Sequence, residues 1–145
     1  MANKVFIDTN ILFNVIDVTR QNSDYVRKMF KLSENKDLSF FVSAITINNI
    51  LYVLQNRFKM KSSDLKERLK KLFQVVEIVP YDMEVIMDGL RLDFDDIGDS
   101  FQFVSALKCG AHYLITEDKK FLDMDLKNDK IQLMSTQDFL AFMAV

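Results

Sequence analysis

Four aspartates stand where apolar runs give way to polar ones. Asp8 closes Val5-Phe6-Ile7 and is followed by Thr9 and Asn10; Asp96 and Asp99 open a helical stretch; Asp118 follows Leu114-Ile115-Thr116-Glu117. An ionised carboxylate at such a seam costs free energy unless a helix N-terminus or a cation compensates it. Carboxylates a few ångströms apart raise one another's pKa or demand a cation. Mg²⁺ and Mn²⁺ take oxygen ligands, often one or two carboxylates with water and phosphate. Two such ions about 4 Å apart can activate water on one side of a phosphodiester and stabilise the leaving oxygen on the other. The set therefore suits metal-dependent phosphoester hydrolysis. Taken singly, each acid has a plainer reading: a cap at Asp8, acids favoured by the helix dipole at Asp96 and Asp99, a loop carboxylate at Asp118.

The elements that must position these acids follow from periodicity. Short β-branched and apolar runs predict strands at Lys4 to Ile7, Ser39 to Val42, Val76 to Val79, Tyr113 to Thr116 and Ile131 to Met134. Helices are expected from Thr9 to about Val18, from Ser23 to Ser33, from Ser43, after Ser62-Ser63, from Asp82 to about Leu90, from Asp99 to a stop at Gly110, and from Ser135. The third presents Ile47, Ile50, Leu51, Leu54 and Phe58 on one face; the one after Ser62-Ser63 presents Leu65, Leu69, Leu72, Phe73 and Val76; the one from Asp99 points Phe101, Val104 and Leu107 inward. Strands alternating with helices predict an α/β fold with a mostly parallel sheet. Ligands bind beyond the carboxyl ends of such strands, where Asp8, Asp118 and the Asp96–Asp99 helix start would meet.

The bulk numbers bound the class. With 145 residues, 49% hydrophobic and 28% charged, the chain is expected to be one globular domain over 1–145. Its apolar runs are too short to cross a bilayer, and no signal peptide is read at the N-terminus. Cys109 is the sole cysteine, so no internal disulfide forms and a cytoplasmic location is expected; one His and one Cys argue against structural zinc. Net charge is −2, which gives no overall basic footprint for nucleic acid. The charge is segregated, however. Arg57, Lys59, Lys61, Lys66, Arg68, Lys70 and Lys71 form a basic stretch, and Asp82, Glu84, Asp88, Asp93, Asp95, Asp96 and Asp99 an acidic one. Arg57, Lys59 and Lys61 are candidates to contact RNA phosphates, against the reading of a solvated helix face. Tyr52 is expected to be a half-buried core residue rather than a base-stacking one, His112 a packing or surface residue, and Cys109 a small buried apolar one.

Three stretches carry a resemblance. "VFIDTNILFNVID", "FVSAITINNILYVLQN" and "DIGDSFQFVSALKCGAHYLITEDKKF" resemble the PIN domain (PilT N-terminus) family, in order and over essentially the whole chain. Within it the sequence is similar to single-domain, VapC-like toxin nucleases. The resemblance implies a three-layer α/β/α fold around a parallel sheet of about five strands. It also implies a Mg²⁺- or Mn²⁺-dependent ribonuclease, RNA as substrate, an antitoxin protein as partner, and a homodimer. Asp8, Asp99 and Asp118 match the family's metal-ligating and catalytic acids, and Asp96 an acid one turn earlier. Thr9, Asn10, Ser43 and Thr116 match polar positions that hold the acids or line the pocket. One position departs: six residues after Ser43, where the family carries Glu, stands Asn49. An amide offers a carbonyl oxygen but no charge, which weakens the attraction for a cation.

Two rival readings follow. A catalytically weakened PIN scaffold that binds RNA or protein is the reading Asn49 favours. A phospho-acceptor receiver would need an acidic pair before the first helix and a lysine after the last strand; here Asp8 stands alone and Ser135-Thr136 follow the last strand.

Overall fold

The structure is a computed structural model that describes residues 3–16, 23–35 and 37–144. In chain order the elements are β1 (Asn3–Ile7), α1 (Thr9–Ile16), α2 (Ser23–Asn35), β2 (Leu38–Ser43), α3 (Ala44–Asn56), α4 (Ser62–Leu72), β3 (Val76–Val79), α5 (Met83–Leu90), α6 (Ile97–Lys108), β4 (Tyr113–Ile115), α7 (Lys119–Leu122), β5 (Gln132–Met134) and α8 (Thr136–Met143). All the expected strands form within a residue or two of their predicted ends. The expected extension of α1 to Val18 lies outside the described residues.

The five strands make one sheet in the order β3-β2-β1-β4-β5. Every pairing is parallel, with Val5 opposite Phe40 on one side and opposite Tyr113 on the other. The chain builds outward from β1 to β2 and β3, then returns to place β4 and β5 on its opposite flank. The reversal falls between β1 and β4, and crevices for ligands open at such switch points.

Alternation along β1 splits the core. Val5 and Ile7 pack with Phe40, Val42, Ile115 and Met134 under helices α1 to α4 and α8. Phe6 packs on the other face with Phe41, Leu114, Phe103 and Phe121 under α6 and α7. Burying each of these side chains stabilises by about 1.5–3 kcal/mol, and the two layers give the α/β/α arrangement.

Several helical expectations are corrected. Helix α6 starts at Ile97, because Asp96 rather than Asp99 is its cap and accepts a bond from the Asp99 amide at 3.2 Å. Its buried face is Phe103, Val104 and Ala106, while Leu107 is exposed and Phe101 half-buried, because α6 is wedged between the sheet and α5. It stops as expected at Gly110, whose φ of +72° suits glycine, with the Ala111 amide donating to Ala106. Helix α3 ends at Asn56, so Phe58 falls beyond it and is exposed; α4 ends at Leu72, leaving Phe73 exposed and Val76 in β3. Tyr52 is 67% exposed, on the side of α3 turned from the core. Cys109 is only half-buried, its Sγ donating to the Ala106 carbonyl. His112 is exposed and accepts the Lys4 amide on Nδ1. Helix α7 was not expected, being too short for a periodic signal.

Candidate active site

Asp8 is the anchor. It ends β1 with its amide bonded to the Ile115 carbonyl, which fixes it beside β4. It is 7% exposed, and both carboxylate oxygens are occupied. Oδ1 accepts from the Thr9 amide at 2.8 Å and from Gln102 Nε2 at 2.9 Å; Oδ2 accepts from the Thr116 hydroxyl at 2.7 Å. Three donors replace the lost water, so the buried charge is tolerated.

These donors are themselves held. Thr9 Oγ1 lies 2.8 Å from Thr46 Oγ1, and Gln102 Nε2 is 3.3 Å from each of these hydroxyls. Thr116 accepts from the Asp118 amide at 3.1 Å and from Asn10 Nδ2 at 3.4 Å, while Asn10 Oδ1 accepts from the Glu117 amide. Asp118 caps α7 by accepting from the Lys120 amide. Asp8, Thr9, Asn10, Thr116 and Asp118 thus form one polar lattice across the carboxyl ends of β1 and β4.

The opposite wall comes from α6. Burial pushes the Asp99 carboxyl up to about 7, helped by the charges of Asp96, Asp8 and Asp118 and by a side-chain hydrogen bond to Asp118. Asp8, Asp96 and Asp118 therefore all act on Asp99. The cavity between them has a volume of 360 Å³ and is lined by Asp8, Asp99, Asp118, Asn10 and Asn49 among others. A second, acidic cavity of 920 Å³ shares Asp99 and Asp118 and adds Asp93, Asp95, Asp96 and Lys120.

Among the described residues, no group of three or more His, Cys, Asp or Glu side chains forms a ready cage for a metal. The donor set nonetheless suits a hard divalent cation. Such an ion needs only one or two carboxylates, completing its shell with water and substrate oxygens, and Asp99, pushed up to about 7 by burial and then by three neighbouring acids, lies where negative charge is crowded.

Sequence-predicted residues divide cleanly. Asp8, Asp96, Asp99, Asp118, Thr9, Asn10, Asn49 and Thr116 all reach the two cavities or their supporting lattice. Ser43 is fully buried and serves as the N-cap of α3, its Oγ accepting from the Ile45 amide. Arg57, Lys59 and Lys61 are exposed beyond the far end of α3, a helix of 13 residues and about 20 Å. None of the three lines either acid-walled cavity. Gln102 and Thr46 were missed. A polar residue three positions after Asp99, amid apolar neighbours, was the available signal: i and i+3 share a helix face.

The model of the PIN domain matches residues 4–120. Ribonuclease VapC1 of Aquifex aeolicus (strain VF5) is 27% identical over 144 residues, covering 95% of this chain and 94% of that protein. VapBC2 from Rickettsia felis, solved bound to a DNA fragment from their promoter, aligns with a TM-score of 0.66 at 16% identity, over 91% of this chain and 98% of that one. VapC20 of Mycobacterium tuberculosis, described as a sarcin-ricin loop cleaving toxin, aligns with a TM-score of 0.60 at 16% identity, over 81% and 92%. At such identities the structural likenesses establish the fold.

Proposed function

Because this chain belongs to the PIN domain family, we propose that it is an endoribonuclease that hydrolyses RNA phosphodiester bonds with Mg²⁺ or Mn²⁺, the toxin of a toxin–antitoxin pair. The observation that carries the reading is the convergence of Asp8, Asp99 and Asp118 on one cavity at the β1–β4 switch point. Ribonuclease VapC1, the relative aligned over nearly the whole chain, supports the substrate class.

In this reading Asp8, Asp99 and Asp118 would hold the cation, with Asp96 adding negative charge from the cap of α6. When bound, the cation supplies an acidified water and offsets the charge of the phosphodiester. Asp8, fixed by Thr9, Gln102 and Thr116, gives an oxygen acceptor oriented before the cation arrives. Asp99, raised to about 7, holds a proton near neutral pH, and a bound cation would displace it. Asn10 and Asn49 add neutral amide groups to the wall.

The partner reading has its own support. Between α2, α3 and α4 lies a mostly apolar groove of 400 Å³ walled by Phe30, Ile50, Leu54 and Leu65 and rimmed by Arg27, Lys31, Arg68 and Lys71. An amphipathic segment with acidic flanks, the kind an antitoxin protein would offer, complements it. Met83, Met87 and Leu90 form an exposed apolar stripe along α5, which supports a homodimer. No helix among the described residues is long and apolar enough to cross a membrane, and action on RNA with an antitoxin implies the cytoplasm.

The test is cleavage of single-stranded and structured RNA by the purified chain. Products should appear with Mg²⁺ or Mn²⁺ and disappear on chelation with EDTA. Unchanged cleavage in EDTA, or no cleavage with either metal, defeats the reading.

A further inference from the structure

The catalytic cavity poses an electrostatic problem for its own substrate. Its walls carry Asp8, Asp99 and Asp118, the neighbouring cavity adds Asp93, Asp95 and Asp96, and the chain is net acidic. An RNA backbone approaching this edge meets like charge, and Arg57, Lys59 and Lys61 stand at the far end of α3. A bound cation and Lys120 would offset part of this repulsion for the phosphate, and the base, with its π-face, offers attraction that the acids do not oppose.

The cavity contains a surface suited to it. Tyr81, just past the carboxyl end of β3, and Phe101, two residues after Asp99 on α6, both line the wall that Asp8, Asp99 and Asp118 share. Their rings meet edge to face, with centroids 5.9 Å apart and planes at 80°. Both are half-buried rather than enclosed. Among the described residues the Tyr81 hydroxyl takes no hydrogen-bond partner. Phe101 is seated by Gly89 of α5, where an added Cβ would stand 2.4 Å from Phe101 Cδ1. Helix α5 is tied to α6 by Lys108, 2.7 Å from Glu84 and 3.1 Å from Asp88. The two rings are therefore fixed before any ligand arrives, and a preset platform avoids the ordering cost of binding.

The geometry points to a nucleobase-binding subsite on Tyr81 and Phe101, which stacks an unpaired base of the RNA next to the phosphodiester at the acid-walled cavity. The inference rests on the ribonuclease reading and adds to it a requirement for an unstacked base at the cleavage position. Edge-to-face rings accept any base, so affinity for single strands rises without sequence readout.

The test is fluorescence anisotropy with a labelled single-stranded RNA oligonucleotide that the protein cleaves, in Ca²⁺ at fixed ionic strength. The same oligonucleotide with abasic residues flanking the cleavage position is the comparison. The intact protein should bind the base-bearing RNA more tightly, about 5- to 100-fold. Tyr81→Leu should reduce that ratio toward one with little change in affinity for the abasic RNA, and Tyr81→Trp should restore it. Phe101→Ala should act in the same direction; because its ring packs on Gly89, thermal melting is measured alongside, and the Tyr81 pair decides if it unfolds. A merely structural role would shift both RNAs equally, and that outcome overturns the subsite. So does a protein that cleaves RNA yet binds the two oligonucleotides alike, which leaves the nuclease reading standing. A protein that neither binds nor cleaves RNA overturns both.

Discussion

Asp8 and Asp99 face one cavity from opposite walls and live in opposite surroundings. Asp8 is the more buried, yet its charge is satisfied by three donors. At Asp99, burial first, then the charges of Asp96, Asp8 and Asp118, push the carboxyl up to about 7. Burial and partners therefore act together: hydrogen-bond donors offset what burial costs a carboxylate, and neighbouring acids add to that cost. One wall is held by donors; the other crowds acids that the proposed cation would relieve.

Removing the donor-held wall should have the largest effect. Asp8→Ala is expected to lower cleavage on the order of 10³-fold, about 4 kcal/mol of transition-state stabilisation, measured as kcat/KM on an RNA oligonucleotide. Keeping the acid but loosening its hold is milder. Gln102→Leu deprives Asp8 Oδ1 of its 2.9 Å donor, and Mn²⁺ affinity by calorimetric titration should fall about 10- to 100-fold. An unchanged affinity would mean that the Thr9 and Thr116 donors suffice.

The crowded wall can be altered in both directions. Asn49→Glu adds a charge at an exposed position on the cavity rim. Mn²⁺ should bind about 5- to 10-fold more tightly, one charge partly screened by solvent. Asp99→Asn removes the strained acid. In the metal-free protein Asp99 binds a proton between its ordinary 3.8 and about 7 that the unfolded chain has already released. Its contribution to stability is thus fully present below pH 4, is lost as pH rises to about 7, and stays lost above. Asp99→Asn should flatten that part of the pH–stability profile in EDTA and raise Tm at pH 7.5 by about 3 °C, the shift for roughly 1 kcal/mol after discounting for solvent.

The smallest effect belongs outside the cavity. Lys127 holds a φ of +47°, a strain of about 1–2 kcal/mol for a residue with a Cβ, against about 0.5–1 kcal/mol of added chain entropy for glycine. Lys127→Gly should stabilise by about 0.5–1 kcal/mol in urea unfolding and leave cleavage as it is.

The sequence by itself determined the strands, the α/β class and the placing of carboxylates at strand ends, while the three-layer arrangement came from the family resemblance. The strands and carboxylates depend on local pattern: short continuous apolar runs such as Val5 to Ile7, and acids at the seams after them. Tertiary structure alone decided how those acids are treated. Gln102 reaches Asp8 across 94 positions, and Thr46 reaches Thr9 across 37. The turning of α6 that buries Gln102 and exposes Leu107 comes from its being clamped between the sheet and α5, and no helical periodicity encodes a clamp. Ser43 shows the converse, since its local role as a cap outweighs the motif position that suggested a place at the site. Local pattern sets which groups a chain can charge; only the packed neighbours set what each charge costs.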